Sequence, residues 1–442
     1  MNGAAWVCTA VLTSLVASQA FAQSDPRYIP ISAGSSRAKG ALYSPDSGPA
    51  PHVGILIVHR TGDYLSYHAC RGLSARGYLV LCMNTRAENN SAKVVWEELA
   101  LDLAAGVRLL RGQPGITRVL LWGWSGGGGT TSFYQAVAEN GTAYCRGPHK
   151  LSECGDELED LPPADGLILV DTNFGIAHQA IVRLNPAVLN DAEIFAENAP
   201  PRLDPTLDPF NPDNGYNPRG ASTYSEEFKQ RYFAAQSRRM NALIEIAQQK
   251  RRAIEAGSAP YSDDDLFVVT KAEAAELLRL DPSIDHTTRR PQKLLLDNGE
   301  IVRRVVESVR LPEPELAAES ETLWDGALLL TVRSFLSANA MRSRSSMDEN
   351  DIDFCSSNNS TPCAVQSISV PLLITAMQAN RYLRYNEIHY ELAKSEDKDF
   401  VIIEGATHPQ MPCVACETYE GQYANATKNF LDYASDWIDD RY

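Results

Sequence analysis

Short, continuously apolar runs alternate with segments of helical periodicity between residues 53 and 170. Four of these runs are predicted strands, at residues 53–58, 77–83, 119–122 and 166–170. Continuous apolar runs of this length are typical of a parallel sheet that is buried on both faces. Apolar positions recur at helical spacing at residues 67–76 and 96–110, between the runs. The alternation predicts an α/β fold with a doubly wound, mostly parallel sheet.

The same pattern returns near the end of the chain. Further strands are predicted at residues 370–376 and 399–403, and further helices at 386–394 and 423–439. Before the first apolar run, residues 28–31 and 37–43 are predicted edge strands.

The block between residues 171 and 370 shows no sheet rhythm. Helices are predicted there at residues 225–257, with Ser225 as the capping residue, and at 272–280 and 321–340. Arginine pairs such as Arg238-Arg239 are predicted to lie on solvated faces of these helices. We expect a mainly helical cap at residues 181–365, inserted between a first core segment at 23–180 and a second at 366–442.

A glycine-rich segment follows the predicted strand at residues 119–122. It reads Gly123-Trp124-Ser125-Gly126-Gly127, and a segment of helical character follows at 130–139. This is the G-x-S-x-G pattern of a nucleophile elbow, where larger flanking side chains would collide with neighbouring backbone. Sites in doubly wound sheets lie beyond the carboxyl ends of the strands. Three predicted strands end there in candidate residues: His59-Arg60-Thr61, Ser125 and Asp171.

The first 22 residues have the form of an export signal. Residues 7–16 are apolar and too short to span a bilayer comfortably, and Ala20-Phe21-Ala22 has the small-x-small form of a cleavage site, although no Lys or Arg precedes the run. Cleavage would remove Cys8 and leave 9 − 1 = 8 cysteines, an even number that suggests four disulfides in an exported protein. Four close pairs stand out: Cys70/Cys82, Cys145/Cys154, Cys355/Cys363 and Cys413/Cys416. We expect a secreted or periplasmic protein without a membrane span after cleavage.

The composition is that of a globular protein with a sizeable core, since 44% of residues are hydrophobic and 22% are charged. The formal net charge is −16. Nucleic acid and anionic membrane surfaces attract basic proteins, so the charge argues against both as partners.

The glycine-rich segment at Ser125, the turn at His59 and the Gly-Ala-Thr-His sequence ending at His408 together resemble the α/β-hydrolase family. The resemblance covers about residues 28–171 and 371–442, and the block between them corresponds by position to that family's variable cap. It implies that Ser125 attacks a carbonyl carbon and that His408 removes the serine proton and later delivers it. It also implies an oxyanion hole formed by the backbone N–H of Gly126 and a second N–H at Arg60 or Thr61. Arg60 stands where the family commonly has glycine.

The acid of this triad stays open between two residues. The commonest position, just after the strand at 370–376, offers Asn380 and no carboxylate. Relatives of the fold also use the end of the preceding sheet strand, which here is Asp171. Glu387 is the alternative, since it is the nearest acid after the later strand.

The expected function is hydrolysis of a carboxylic ester, in a small molecule or a polymer, without a metal or organic cofactor. An amidase or peptidase, a lactonase or a carbon–carbon bond hydrolase could use the same residues. A non-catalytic binding protein on the same fold is a further alternative, but it would be expected to lose Ser125 or His408, and both are present.

Overall fold

The computed structural model of the protein describes residues 25–33, 36–321 and 326–442. The predicted export signal lies outside these residues. In the described part of the chain, no helix has the length and apolar character needed to cross a membrane.

A large sheet forms the centre of the structure. The strands of the described residues are β1 (Arg27–Ala33), β2 (Ser36–Tyr43), β3 (Val53–Val58), β4 (Leu79–Asn84), β5 (Arg118–Trp124), β6 (Gly166–Val170), β7 (Leu266–Val269), β8 (Gln292–Leu295), β9 (Ile301–Arg304), β10 (Leu328–Thr331), β11 (Arg342–Ser343), β12 (Ile352–Asp353), β13 (Leu372–Met377) and β14 (Lys398–Ile403). Ten of these described strands form one sheet in the order β1-β2-β4-β3-β5-β6-β13-β14-β8-β9. The strands from β4 to β8 in this order run parallel, whereas β1, β2 and β9 pair antiparallel at the two edges. The sheet is therefore doubly wound and mostly parallel, as predicted.

Helices cover the sheet and build the inserted block. They are α1 (His68–Ser74), α2 (Trp96–Arg111), α3 (Gly126–Asn140), α4 (Ile176–Arg183), α5 (Asp191–Glu197), α6 (Glu226–Glu255), α7 (Leu277–Leu280), α8 (Leu316–Glu321), α9 (Val332–Ser334), α10 (Thr361–Val365), α11 (Leu383–Leu392) and α12 (Ala426–Asp439).

Each face of the sheet carries its own apolar layer. On β3, Leu56 and Val58 belong to the layer that α2 and α3 cover, while Ile55 and Ile57 belong to the layer beneath α1 and α12. Both faces are thus removed from water, so all six residues of β3 are buried. This burial explains why the central strands are continuously apolar rather than alternating.

The long helix α6 organises the block between β6 and β13. It begins where predicted, because the Ser225 hydroxyl accepts a hydrogen bond from the backbone N–H of Phe228 at 3.1 Å. The prediction that the arginine pairs of this helix lie on its solvated face is wrong for Arg239, which is only 5% exposed. The Arg239 guanidinium donates to both carboxylate oxygens of Asp191, at 2.7 and 2.8 Å. Since α6 is packed on more than one side, a residue outside its main apolar stripe is also buried.

Three expectations for this block need correction. The strands β8 and β9 lie inside the range expected for a helical cap, yet β8 pairs in parallel with β14 of the main sheet. In the segment 272–280 only Leu277–Leu280 is helical. In the segment 321–340, Glu321 ends α8, and the described residues that follow include β10, α9 and a π-helical turn, Phe335–Asn339. Segments of three to five residues are too short for periodicity to distinguish strand from helix.

The eight cysteines of the described residues form the four expected disulfides: Cys70–Cys82, Cys145–Cys154, Cys355–Cys363 and Cys413–Cys416. We therefore expect no free thiol in the mature protein. Titration with a thiol reagent in denaturant should detect less than about one thiol per chain before reduction, and reduction of the same sample supplies the positive control. Several reactive thiols in the unreduced sample would contradict this pairing.

Candidate active site

Ser125 occupies the turn between β5 and α3. The strand ends at Trp124 and the helix begins at Gly126. The backbone of Ser125 has φ 53° and ψ −124°, a region that L residues rarely adopt and that is typical of strained functional sites. A Cβ atom at Gly127 would lie 2.5 Å from the carbonyl oxygen of Val58, so the turn needs glycine there. This geometry is that of a nucleophile elbow.

His408 lies on the loop after β14 and reaches Ser125. Its Nε2 is 2.9 Å from the Ser125 hydroxyl oxygen. The Trp124 indole N–H donates to the backbone carbonyl of His408 at 2.9 Å. The rings of Trp124 and Tyr382 lie 5.2 and 5.4 Å from the imidazole. These contacts hold the imidazole beside the hydroxyl.

Asp171 follows the last residue of β6 and is fully buried. Its Oδ2 lies 2.6 Å from His408 Nδ1 and accepts a hydrogen bond from the Asn380 side-chain amide, also at 2.6 Å. Its Oδ1 accepts from the backbone N–H of Met377 at 3.1 Å. Asn380, at the position where the family commonly has the acid, thus contacts the carboxylate of Asp171. A continuous hydrogen-bonded chain runs from Asp171 through His408 to Ser125.

Glu387, the alternative acid, lies in a different environment. Its carboxylate accepts hydrogen bonds from the backbone N–H groups of Arg289 and Arg290, from the Gln292 amide and from the Arg384 guanidinium. Burial opposes ionisation, but these donors together bring the pKa of Glu387 below its ordinary value. The carboxylate anchors the segment that enters β8 and does not hydrogen-bond to His408.

Of the two candidate oxyanion donors at the turn after β3, Arg60 and Thr61, the second has its N–H directed at a neighbouring ring. The Thr61 N–H donates to His59 Nδ1 at 3.4 Å, and the Gly62 N–H donates to the same nitrogen at 2.9 Å. His59 is therefore a structural residue of the turn. Burial, and then the charge of Arg60, lower the pKa of His59 to about 3, so the ring stays neutral. Gly126, the first residue of α3, lies next to this turn, since a Cβ on it would be 2.9 Å from His59 Nε2.

A cavity of about 1050 Å³ includes Ser125 and His408 in its wall. Arg60 also lines it, together with four charged residues of the inserted block and the loop after β13: Arg183, Glu273, Arg279 and Arg381. Sequence reasoning did not connect these four residues with the site. They come from separate segments, and no local motif marks them.

Comparison with known proteins gives similarities to solved structures alone. No protein-family model matches the sequence, and no curated protein matches it. The similar structures include the α/β hydrolase GrgF from Penicillium sp. sh18, with 12% identity, a TM-score of 0.42, and 94% of this chain and 98% of that chain covered. A monoglyceride lipase from Saccharomyces cerevisiae has 12% identity and a TM-score of 0.43, with 95% and 98% covered. Est1E from Butyrivibrio proteoclasticus has 11% identity and a TM-score of 0.37, with 94% and 100% covered.

Because each of these TM-scores is below 0.5, the fold assignment rests on the chain's own geometry. The strand order, the antiparallel first strands and the elbow between β5 and α3 are those of the α/β-hydrolase fold. The chain has the α/β-hydrolase fold, with a large insertion between β6 and β13.

Proposed function

We propose that this protein is an exported serine hydrolase that cleaves carboxylic esters through Ser125, His408 and Asp171. The observation that carries the proposal is the hydrogen-bonded chain from the Asp171 carboxylate to the Ser125 hydroxyl, at 2.6 and 2.9 Å. A strained serine, an adjacent imidazole and a buried carboxylate are the groups that acyl transfer through a covalent intermediate requires.

In the first half of the reaction, Ser125 Oγ attacks the ester carbonyl carbon while its proton passes to His408 Nε2. The tetrahedral intermediate collapses to an acyl-serine, and the alcohol leaves with the proton from His408. In the second half, His408 removes a proton from water, which attacks the acyl carbon of the acyl-serine. The bond to Ser125 Oγ then breaks, His408 returns the proton to that oxygen, and the carboxylic acid is released. Asp171 accepts the Nδ1–H of His408, which fixes the useful tautomer and stabilises the imidazolium.

The oxyanion that forms on the carbonyl oxygen needs two preorganised N–H donors. The N–H of Gly126 is one, because it follows the nucleophile at the start of α3. For the second we favour Arg60 over Thr61, because the Thr61 N–H is directed at His59 Nδ1.

Export is supported by two features together. The first 22 residues have the form of an export signal. The chain also has four disulfides, which are rare in the cytosol because thiols are kept reduced there.

The proposal is tested by active-site labelling and a substrate screen with the purified protein. A fluorophosphonate should add to Ser125, as identified by peptide mass spectrometry, and the screen should cover acyl chain lengths, aromatic esters, lactones and amides. We expect ester hydrolysis that the label abolishes. A label attached elsewhere would overturn the nucleophile assignment, and turnover of amides or lactones without esters would change the reaction class.

A further inference from the structure

The wall of the catalytic cavity is rich in arginine, although the whole protein is acidic. The formal net charge of the protein is −16. In the described part of the chain, the cavity wall nevertheless contains one carboxylate, Glu273, and four arginines: Arg60, Arg183, Arg279 and Arg381. A cleft of one sign of charge raises the local concentration of ligands of the opposite sign. The wall has more cationic than anionic side chains, and the partners of the four arginines decide which of them is free to bind an anion.

Three of these arginines already have carboxylate partners. The ion pairs are Arg183 with Glu273 and Glu276 at 3.5 and 3.4 Å, Arg381 with Glu276 at 3.0 Å, and Arg279 with Glu313 at 2.5 Å. Glu276 is fully buried, and although burial opposes its ionisation, Arg381 and Arg183 bring its pKa down to about 2. This network is internally compensated and needs no ligand.

Arg60 differs from the other three. Among the described residues, no carboxylate lies within ion-pair distance of its guanidinium, and the side chain donates no hydrogen bond; its Nε is buried without a partner. Burial, and then the charge of Arg183, lower the pKa of Arg60 to about 10, which still leaves it protonated at neutral pH. Arg60 is half-buried and its Nε is fully buried. A partly desolvated cation without a partner is costly, and a bound anion would reduce that cost.

A second donor in the same wall also lacks an acceptor. Gln179 is 3% exposed, and its Nε2 is buried without a hydrogen-bond partner, while its Oε1 accepts from the Tyr382 hydroxyl at 3.4 Å. Buried amide groups are normally paired. Arg60 and Gln179 thus present unused donors in the cavity that contains Ser125.

We infer that the ester cleaved at Ser125 carries a free carboxylate, which the Arg60 guanidinium binds and to which the Gln179 side-chain N–H donates a hydrogen bond. The planar guanidinium fork matches the geometry of a carboxylate and forms stronger hydrogen bonds to it than to a neutral group. The inference rests on the hydrolase function proposed above and adds the substrate class to it. Arg60 is then a specificity-determining residue through its side chain, independently of its backbone N–H.

Two matched pairs of probe esters test the inference on either side of the scissile bond. On the acyl side, 4-nitrophenyl hydrogen adipate is compared with the 4-nitrophenyl ester of monomethyl adipate. On the alcohol side, 4-acetoxybenzoate is compared with methyl 4-acetoxybenzoate. For each pair the quantity measured is the ratio of kcat/KM for the anionic ester to kcat/KM for the neutral ester, after subtraction of the rate with Ser125→Ala.

Variants of opposite charge should shift this ratio in opposite directions. Arg60→Gln should lower it by roughly 30-fold or more for the pair whose carboxylate reaches Arg60, because a desolvated charge pair is lost. Glu273→Gln should raise it by about threefold or more, because the lining carboxylate that repels the substrate is neutralised. Arg238→Gln, an exposed arginine on α6, is the control and should leave the ratio unchanged.

The outcomes separate this inference from the proposed function. Suppose that both members of each pair are cleaved in a Ser125-dependent way and that Arg60→Gln leaves both ratios unchanged. The proposed hydrolase function is then supported, and the inference that the substrate carries a carboxylate is overturned. If no probe is cleaved, the carboxylate inference is tested by calorimetry, which measures the binding of monomethyl adipate and of dimethyl adipate to the Ser125→Ala protein. Tighter binding of the monoester, lost in the Arg60→Gln double variant, supports the inference, and equal binding overturns it.

Discussion

Replacement of Ser125 by alanine is expected to lower kcat for the best ester by roughly 10⁴- to 10⁶-fold while the protein stays folded. The variant removes the oxygen that forms the acyl-enzyme, so only the oxyanion hole and substrate binding remain to accelerate the reaction. Alanine keeps the Cβ atom of serine and lacks only the hydroxyl oxygen, so the variant adds no steric conflict at this turn. The measurements are steady-state kinetics with the best ester of the screen, and circular dichroism for the fold.

A matched control for this experiment is Ser132→Ala. Ser132 lies on α3, is buried, and its hydroxyl donates to the backbone carbonyl of Gly129 at 3.3 Å, away from His408. Its kcat should stay within about a factor of three of the parent value, since one weak local hydrogen bond is lost. Covalent phosphonate labelling that persists in Ser125→Ala would refute the nucleophile assignment.

Asp171→Asn is expected to lower kcat by roughly 10³- to 10⁴-fold, whereas Glu387→Gln should cost far less activity. The Asp171 carboxylate accepts from three donors: Met377 N–H, the Asn380 amide and His408 Nδ1. An asparagine has one acceptor oxygen in place of two, so it cannot accept from all three in the same way. The amide also carries no charge to stabilise the imidazolium or to hold the tautomer with Nε2 free to accept the serine proton.

Glu387→Gln is expected to act on stability instead. The Glu387 carboxylate accepts from two backbone N–H groups, an amide and a guanidinium, and a glutamine cannot satisfy all of them. The free energy of unfolding should fall by about 1–3 kcal/mol, as measured by denaturant titration. A larger loss of kcat in Glu387→Gln than in Asp171→Asn would show that the acid is Glu387.

The order of strands and helices in the core could be predicted from the sequence because each element has a local signal. A strand buried on both faces must be continuously apolar, and β3, β4, β5, β6, β13 and β14 all lie where such runs occur. The elbow could be recognised because its G-x-S-x-G pattern is contiguous in the sequence, although the reason for Gly127 is an approach to the carbonyl oxygen of Val58 on β3. His408 follows the last predicted strand, at 399–403, so the role that the resemblance implies for it also needs only the order of elements along the chain.

The arrangement of the inserted block and the side chains that surround the site could be determined only from the tertiary structure. The strands β8 and β9 have four residues each and belong to the sheet only because β14 offers a free edge beside them. The sequence alone left Asp171 and Glu387 open as the acid, because their distances from His408 depend on how the loops after β6 and β13 meet. Arg60 and Gln179 face one cavity together, and the partners of the other arginines come from distant segments. Long-range packing of this kind leaves no periodicity in the chain, so only the folded structure determines it.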